Sequence, residues 1–289
     1  MDKTLISILA GLGGMFGWGT SDFLANYASE KIGHFKTFFW SQFAGMVLTG
    51  AIMFYLQPTL RLSFSTVGIL VLGSILYTTG YLYFYKAFEI GNVSVISAAI
   101  NLNTVIAIIL AYIFLGQRLT KTQLPAVVMI IIGITLVSIN LNDFKKGTLS
   151  LLLGVRETII ASLAFGVFWN LSQILSPQIG WAPTTFFVKL IALLFLVILS
   201  FFTKSSFKYD KKHLSILPTV ILVGILEAIA VASVNFGLTV GDLVLINPIS
   251  SALSVVTILL AVIFLREKIS KIQLTGMVIA LAGIILTSF

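Results

Sequence analysis

Glu227 is the residue in the sequence whose side chain is best suited to a chemical role. It lies near the middle of an apolar stretch, where an ionised carboxylate costs at least about 2.5 kcal/mol on insertion scales unless it is paired, wetted or protonated. We therefore expect Glu227 either to bind a cationic group of a substrate or to carry a coupling proton. The alternative is a buried ion pair with Lys189 or Lys86 that only fixes helix packing. Because both lysines lie close to the ends of their stretches, snorkelling to lipid headgroups is the simpler interpretation for each.

Two triplets of polar residues each follow the spacing i, i+4 and i+7, which places each triplet on one face of a helix. Such a face predicts the lining of a cavity, although small polar residues also form hydrogen bonds between packed helices. We favour the cavity for Asn101 and Asn247. The triplets are Ser97, Asn101 and Thr104 in one stretch and Asn247, Ser251 and Ser254 in another.

Two tryptophans are each followed by a polar pair at i+3 and i+4. A tryptophan beside a carboxylate or an amide is suited to the wall of a pocket for a small amphipathic solute. An interfacial aromatic belt is the alternative. The sets are Trp18, Ser21 and Asp22, and Trp169, Ser172 and Gln173.

The stretches that carry these residues predict an all-α integral membrane protein with about ten transmembrane helices. The chain is 58% hydrophobic and 10% charged, and its mean hydropathy is +1.08, so its main solvent is lipid. Most stretches approach the roughly 20 residues that a spanning helix needs, and they lack the alternation of barrel strands. They are Thr4 to Ala25, Thr37 to Tyr55, Phe64 to Tyr85, Val93 to Leu115, Leu124 to Ile139, Thr158 to Leu175, Thr184 to Phe202, Leu214 to Leu238, Leu243 to Leu265 and Leu274 to Phe289.

The charge and the cysteine content exclude several classes of partner and cofactor. The formal charge of +8 comes from lysines and arginines in short connections between the stretches. We interpret it as topology-setting and headgroup charge, so no nucleic acid partner is expected. The chain has no cysteine, which excludes disulfides and thiolate metal sites. No cofactor is predicted.

The chain contains an internal repeat. Gly91 aligns with Gly241 at an offset of 241 − 91 = 150, and the register continues without a gap from Tyr85 to Ser138. At this offset Glu227 corresponds to Tyr77. At an offset of one more residue, Trp18, Ser21 and Asp22 correspond to Trp169, Ser172 and Gln173. We predict two repeats, residues 1–142 with helices 1–5 and residues 143–289 with helices 6–10. An odd number of helices in each repeat makes the two copies inverted, an arrangement typical of transporters with a central cavity.

These residues resemble the drug/metabolite transporter (DMT) superfamily and, within it, the EamA-type ten-helix permeases. The resemblance covers the whole chain. It rests on Gly17-Trp18-Gly19 and on a pattern that occurs twice, a glycine turn, an apolar helix, a polar turn and a Gln-Leu helix start. The two copies run from Gly91 to Gln117-Arg118-Leu119-Thr120 with Gln123-Leu124, and from Gly241 to Glu267-Lys268-Ile269-Ser270 with Gln273-Leu274. Gln117 departs from the glutamate usual in the family, and Thr104 and Ser254 stand where a helix proline is common.

The resemblance implies a multi-pass carrier in the cell membrane that moves small organic metabolites, with amino acids or drug-like compounds as candidates for export. No nucleotide-binding motif is present, so we expect alternating access driven by a substrate or a proton gradient. The predicted substrate-binding residues are Trp18, Asp22, Tyr77, Asn101, Trp169, Gln173, Glu227 and Asn247.

Two rival functions and two further properties follow from the same residues. An intramembrane enzyme is not predicted, because the sequence lacks a catalytic set of paired aspartates or a Ser/His pair. A lipid flippase or a helper of a lipid pathway is the open alternative. A homodimer is a candidate through the glycine-containing fifth and tenth helices. The lysine and arginine bias favours both termini outside the cell, whereas the resemblance implies both in the cytoplasm.

Overall fold

The computed structural model describes residues 2–60, 62–90, 96, 99–137, 153–209, 211–266 and 270–287. Within these ranges the chain forms helices and no strand, which confirms the all-α prediction. The predicted boundary between residues 142 and 143, together with Gly91 and Ser97, lies outside the described residues. The helices are α1 Lys3–Ile32, α2 His34–Leu56, α3 Phe64–Ile90, α4 Leu102–Phe114, α5 Gln123–Val137, α6 Val155–Ile179, α7 Trp181–Thr203, α8 Leu217–Leu238, α9 Leu243–Ser251, α10 Leu253–Leu265 and α11 Lys271–Leu286, with a 3₁₀ turn at Lys211–Ile216 before α8.

Among the described residues, six helical segments are long and apolar enough to cross a membrane. They comprise α2, α3, α6, α7, the segment His213–Leu238 that ends in α8, and Leu243–Phe264, which spans α9 and α10. α4, α5 and α11 are shorter apolar helices. α1 is 30 residues long but is not among the six. Its glycines and polar residues face other helices, so it does not need an apolar surface all round.

The predicted stretch Leu243 to Leu265 is not one helix, because it breaks at Ala252. Pro248 lies inside α9 and has no backbone N–H to complete the regular hydrogen-bond ladder. In the first half, Asn101 forms a turn directly before α4. Position 101 corresponds to Ser251 at the offset of 150, so the chain leaves the regular helix at equivalent places in both halves.

The backbone repeats its unusual conformations in the two halves. Three pairs of residues have a positive φ at corresponding turns, although only glycine adopts this region without cost. The similar angles indicate that each turn has the same geometry in both copies. The pairs are Gly33 (84°) with Gly180 (90°), Gln57 (44°) with Lys204 (54°), and Gly116 (65°) with Arg266 (55°).

The predicted Gln-Leu helix starts are confirmed in both halves. The Gln123 backbone N–H donates to the Thr120 hydroxyl, and the Thr120 N–H donates to Gln123 Oε1, each over 3.1 Å. Ser270 and Gln273 form the same reciprocal pair at the start of α11. This capping box satisfies two backbone donors and fixes where each helix begins.

The glycines of the fifth and tenth predicted helices are used inside the chain. A Cβ atom on Gly133 of α5 would lie 2.4 Å from the backbone nitrogen of Ala280, and one on Gly276 of α11 would lie 2.6 Å from that of Val137. α5 and α11 therefore pack backbone to backbone. The reason given for a homodimer was wrong, since these glycine faces are already covered by each other.

Hydrogen bonds and ion pairs bring specific helix ends together and define two ends of the bundle. At one end, Lys3 pairs with Asp242 over 3.0 Å, and the Thr66 hydroxyl donates to Gln178 over 3.2 Å. We call this the terminal end. At the other, Lys86 pairs with Glu157 over 3.6 Å, and we call this the opposite end.

Candidate solute cavity

A cavity of about 550 Å³, its open side included, lies between the two halves of the chain. The lining comes from α1, α3, α6, α9, the start of α10, and α4 with the turn before it, so both halves contribute. Among the predicted residues, the structure brings together Trp18, Asp22, Asn101, Trp169 and Asn247.

The two tryptophans meet in the wall of this cavity. The ring centroids of Trp18 and Trp169 lie 5.3 Å apart in an edge-to-face arrangement, a favourable geometry for aromatic pairs. Both side chains are buried. The interfacial belt was therefore the wrong alternative for this pair, because belt residues face the headgroup region.

Three lining residues have a buried polar atom without a hydrogen-bond partner among the described residues: Oδ1 of Asp22, Nε1 of Trp18 and Nδ2 of Asn247. Asp22 is 8% exposed and forms no ion pair within the described part of the chain. Unpaired polar atoms in a low-dielectric interior are costly. Their occurrence together in one cavity is typical of a site that completes its hydrogen bonds with a ligand.

The polar faces of the fourth and ninth stretches divide between lining and packing. Thr104 and Ser251 share a hydrogen bond of 2.5 Å between their hydroxyls and so join α4 to α9. Asn101, Asn247 and Ser251 line the cavity. Both interpretations therefore apply, and Ser251 combines them, since it lines the cavity and also bonds Thr104.

Glu227 does not lie in the cavity lining; it forms an ion pair with Lys189, and both side chains are 0% exposed. Gln42 and Tyr77 complete what we call the ion-pair cluster. The Tyr77 hydroxyl donates to Glu227 Oε1 over 2.5 Å, and Lys189 Nζ donates to Gln42 Oε1 over 3.0 Å. The structure thus has the buried ion pair that was the alternative for Glu227.

The two lysines differ in their surroundings. The prediction that Lys189 snorkels to the headgroups was wrong, because its ammonium group donates to Gln42 and Glu227 inside the ion-pair cluster. Lys86 is half-exposed and pairs with Glu157 at the opposite end of the bundle. Glu227 instead pairs with Lys189 on α7.

Tyr81 connects the cavity to the ion-pair cluster. It lines the cavity, and its hydroxyl donates to Glu227 Oε1 over 3.3 Å. Sequence reasoning missed Tyr81, although it follows Tyr77 by one helical turn and so shares its face. It also missed Phe165, which lines the cavity four residues before Trp169, and Gln42.

Gln173 lies outside the cavity lining and ties helices together near the terminal end. Its Nε2 donates to the carbonyl of Leu238 over 3.0 Å, and its Oε1 accepts from the backbone N–H of Leu243, also over 3.0 Å. Gln117 Oε1 accepts from the next N–H, that of Val244, over 3.2 Å. Two glutamines therefore hold the first turn of α9, whose N–H groups have no partner within the helix.

A bundle with several apolar helices long enough to cross a membrane defines the class as a multi-pass integral membrane protein. The EamA-like transporter family matches the chain twice, over residues 5–139 and 152–289. The chain belongs to this family of membrane transporters of the DMT superfamily, and the family is one of transporters rather than enzymes.

Solved structures share the fold. Among 29 matching chains, one titled "Crystal structure of protein" superposes with a TM-score of 0.80 over 97% of this chain and 95% of its own, at 16% sequence identity. That identity supports the fold alone. No curated protein matches the chain significantly in sequence.

Proposed function

We propose that this protein is a secondary-active transporter that moves a small organic metabolite through the central cavity by alternating access. The observation that carries the proposal is the cavity wall, in which Trp18 of the first repeat contacts Trp169 of the second. A solute held between two repeats can be exposed to either side of the membrane when one repeat rocks against the other. The gradient of the solute or of protons supplies the energy.

The proposed architecture has ten spans in two inverted five-helix repeats. α4 ends the fourth span, α9 and α10 together form the ninth, and each remaining helix forms one. The direction of equivalent helices supports inversion: α1 begins at the terminal end with Lys3, whereas α6 begins at the opposite end with Glu157 and reaches the terminal end at Gln178.

We infer that the cavity is closed at the terminal end in this conformation. Gln173 and Gln117 hold α9 near the terminal end, and the exposed ion pair between Lys3 and Asp242 lies beside them. We infer that the cavity opens towards the opposite end. Both the start of α1 and the end of α11 lie at the terminal end in this architecture, so both termini are on one side of the membrane.

Purified protein in proteoliposomes tests the proposal. Water-soluble metabolites are screened for protein-dependent flux, and labelled lipids are screened for flipping in the same vesicles. Flux of a solute that falls in the Trp169→Ala variant supports the transporter. Trp181→Ala is the matched control, because Trp181 packs on Phe236 away from the cavity. Lipid flipping without solute flux would contradict the proposal in favour of the flippase.

A further inference from the structure

The buried acidic and basic side chains that the structure describes have ion-pair partners except in the cavity. The buried charged residues among those described are Asp22, Glu157, Lys189 and Glu227. Lys189 neutralises Glu227, and Lys86 neutralises Glu157. Asp22 has no such partner in the described parts of the chain. Residues 91–98 precede the turn at Asn101. Their sequence is Gly-Asn-Val-Ser-Val-Ile-Ser-Ala, which contains no basic residue.

The cavity lining that the structure describes contains this one carboxyl group and no lysine, arginine or histidine. A carboxylate in a desolvated cavity attracts a cation and repels an anion, and the lack of competing water strengthens both effects. The carboxylate of a zwitterion would enter the same cavity without a cationic partner, which carries a large desolvation cost. The lining therefore discriminates by net charge.

Aromatic rings surround the carboxyl group. Trp18, Tyr81, Phe84, Phe165 and Trp169 all line the cavity. The faces of such rings attract ammonium groups, and tryptophan does so most strongly. The same rings offer an apolar wall to a hydrocarbon body.

Two donors in the lining point to a second feature of the solute. Trp18 Nε1 and Asn247 Nδ2 have no acceptor among the described residues. An uncharged acceptor on the solute, such as a hydroxyl or carbonyl oxygen, would satisfy one of them without introducing a negative charge.

We propose that the cavity takes a small organic amine of net positive charge, with its ammonium group paired to Asp22 and its apolar body against the tryptophans, and that it disfavours anions and zwitterions of the same shape. The substrate class rests on the proposed transport function for its biological meaning. Binding at Asp22 can nevertheless be measured without transport. In this assignment Asp22 takes the cation-binding role that the sequence suggested for Glu227, which already has its cation.

Three probes with a common phenyl group separate charge from shape: 2-phenylethylamine, L-phenylalanine and 3-phenylpropionate. Their affinities for the purified full-length protein are measured by calorimetry in detergent at neutral pH. We expect the amine to bind at least about tenfold more tightly than the other two, which corresponds to about 1.4 kcal/mol. In Asp22→Asn the amine should lose at least tenfold in affinity, and the difference between amine and anion should shrink. Melting and gel filtration of the variant confirm that it folds.

Each other outcome overturns the assignment. Equal or tighter binding of phenylalanine or phenylpropionate would do so, as would unchanged amine binding in Asp22→Asn. Binding of none of the three would also overturn it, while flux of a different solute in proteoliposomes would leave the transport proposal standing. Conversely, amine binding that depends on Asp22 without any protein-dependent flux would support the site and count against transport.

Discussion

Tyr77 donates its hydroxyl hydrogen to Glu227 over 2.5 Å, and the two residues occupy equivalent positions in the two repeats, since 227 − 77 = 150. A second equivalent pair lies beside them. Gln42 follows Gly33 by nine positions, Lys189 follows Gly180 by nine, and Lys189 Nζ donates to Gln42 Oε1. Equivalent positions meet where a pseudo-symmetry axis passes between the repeats. The ion-pair cluster therefore lies at the centre of the proposed arrangement. The first repeat contributes the neutral residues Gln42 and Tyr77, and the second contributes the charged residues Lys189 and Glu227.

Removing one partner of the buried ion pair should destabilise the protein strongly. Lys189→Met and Glu227→Gln each leave a buried charge uncompensated, at a cost of about 3–5 kcal/mol. The double variant leaves no charge and should recover much of this loss. Melting of the purified variants in detergent checks the prediction. Glu157→Gln is the control, because the charge that it leaves unpaired, on Lys86, is 46% exposed and remains solvated, so the loss of stability should be much smaller. Single variants that melt with the wild type would refute a structural role for the pair.

A side chain at Gly133 should separate α5 from α11. A Cβ atom there would lie 2.4 Å from the Ala280 backbone, and backbone cannot move aside as a flexible side chain can, so overpacking should cost about 1–3 kcal/mol or more. We expect Gly133→Ala to lower the melting temperature. Gly68→Ala is the matched control in an exposed helical position with nothing within 4 Å, where alanine favours the helix by about 0.5–1 kcal/mol. A Gly133→Ala protein as stable as Gly68→Ala would contradict the observed packing.

Gln173→Ala should loosen the terminal end of the cavity. The substitution removes the bonds to Leu238 and Leu243, each of which contributes about 1 kcal/mol. Because 1–2 kcal/mol changes a population ratio about 5–30-fold, states open at the terminal end should become more populated. A cysteine placed in the cavity should then react faster with a reagent added on that side. Gln178→Ala, on the same helix but bonded to Thr66 rather than α9, should leave the rate unchanged. An equal increase in both variants would argue against a specific role for Gln173.

The sequence was sufficient for the all-α architecture and for five residues of the cavity lining because both depend on local patterns. The length and apolarity of a stretch predict a membrane span. The repeat alignment pairs Trp18 with Trp169 and pairs the stretch that contains Asn101 with the stretch that contains Asn247. The partner of Glu227 was not predictable in this way. Lys189 is 38 residues distant and lies near one end of its stretch, so local spacing favoured the headgroups. The packing of α7 against α2, α3 and α8 turns its side chain inward.

Gln173 illustrates the other limit of sequence reasoning. It corresponds to Asp22 in the repeat, and equivalence suggested that both line the cavity. The structure instead uses Gln173 to hold the start of α9, because an amide can donate and accept at once and so suits backbone groups. A carboxylate can only accept when ionised. Equivalent positions therefore serve different purposes once their side chains differ in chemistry.

The most direct test of an aqueous cavity between the two repeats is the reactivity of a single cysteine placed there. The chain has no cysteine of its own. Ser250 lines the cavity, whereas Ser74 is buried in α3 outside it, and each hydroxyl bonds only its own helix backbone, at Asn247 and Leu70. The measurement is labelling of Ser250→Cys and Ser74→Cys in sealed vesicles by a charged, membrane-impermeant methanethiosulfonate reagent added from each side in turn. We expect rapid labelling of Ser250→Cys from the side opposite the termini, little from the other side, and none of Ser74→Cys. If Ser250→Cys remained as unreactive as Ser74→Cys from both sides, no aqueous chamber would lie between the repeats and the proposed transport path would be contradicted.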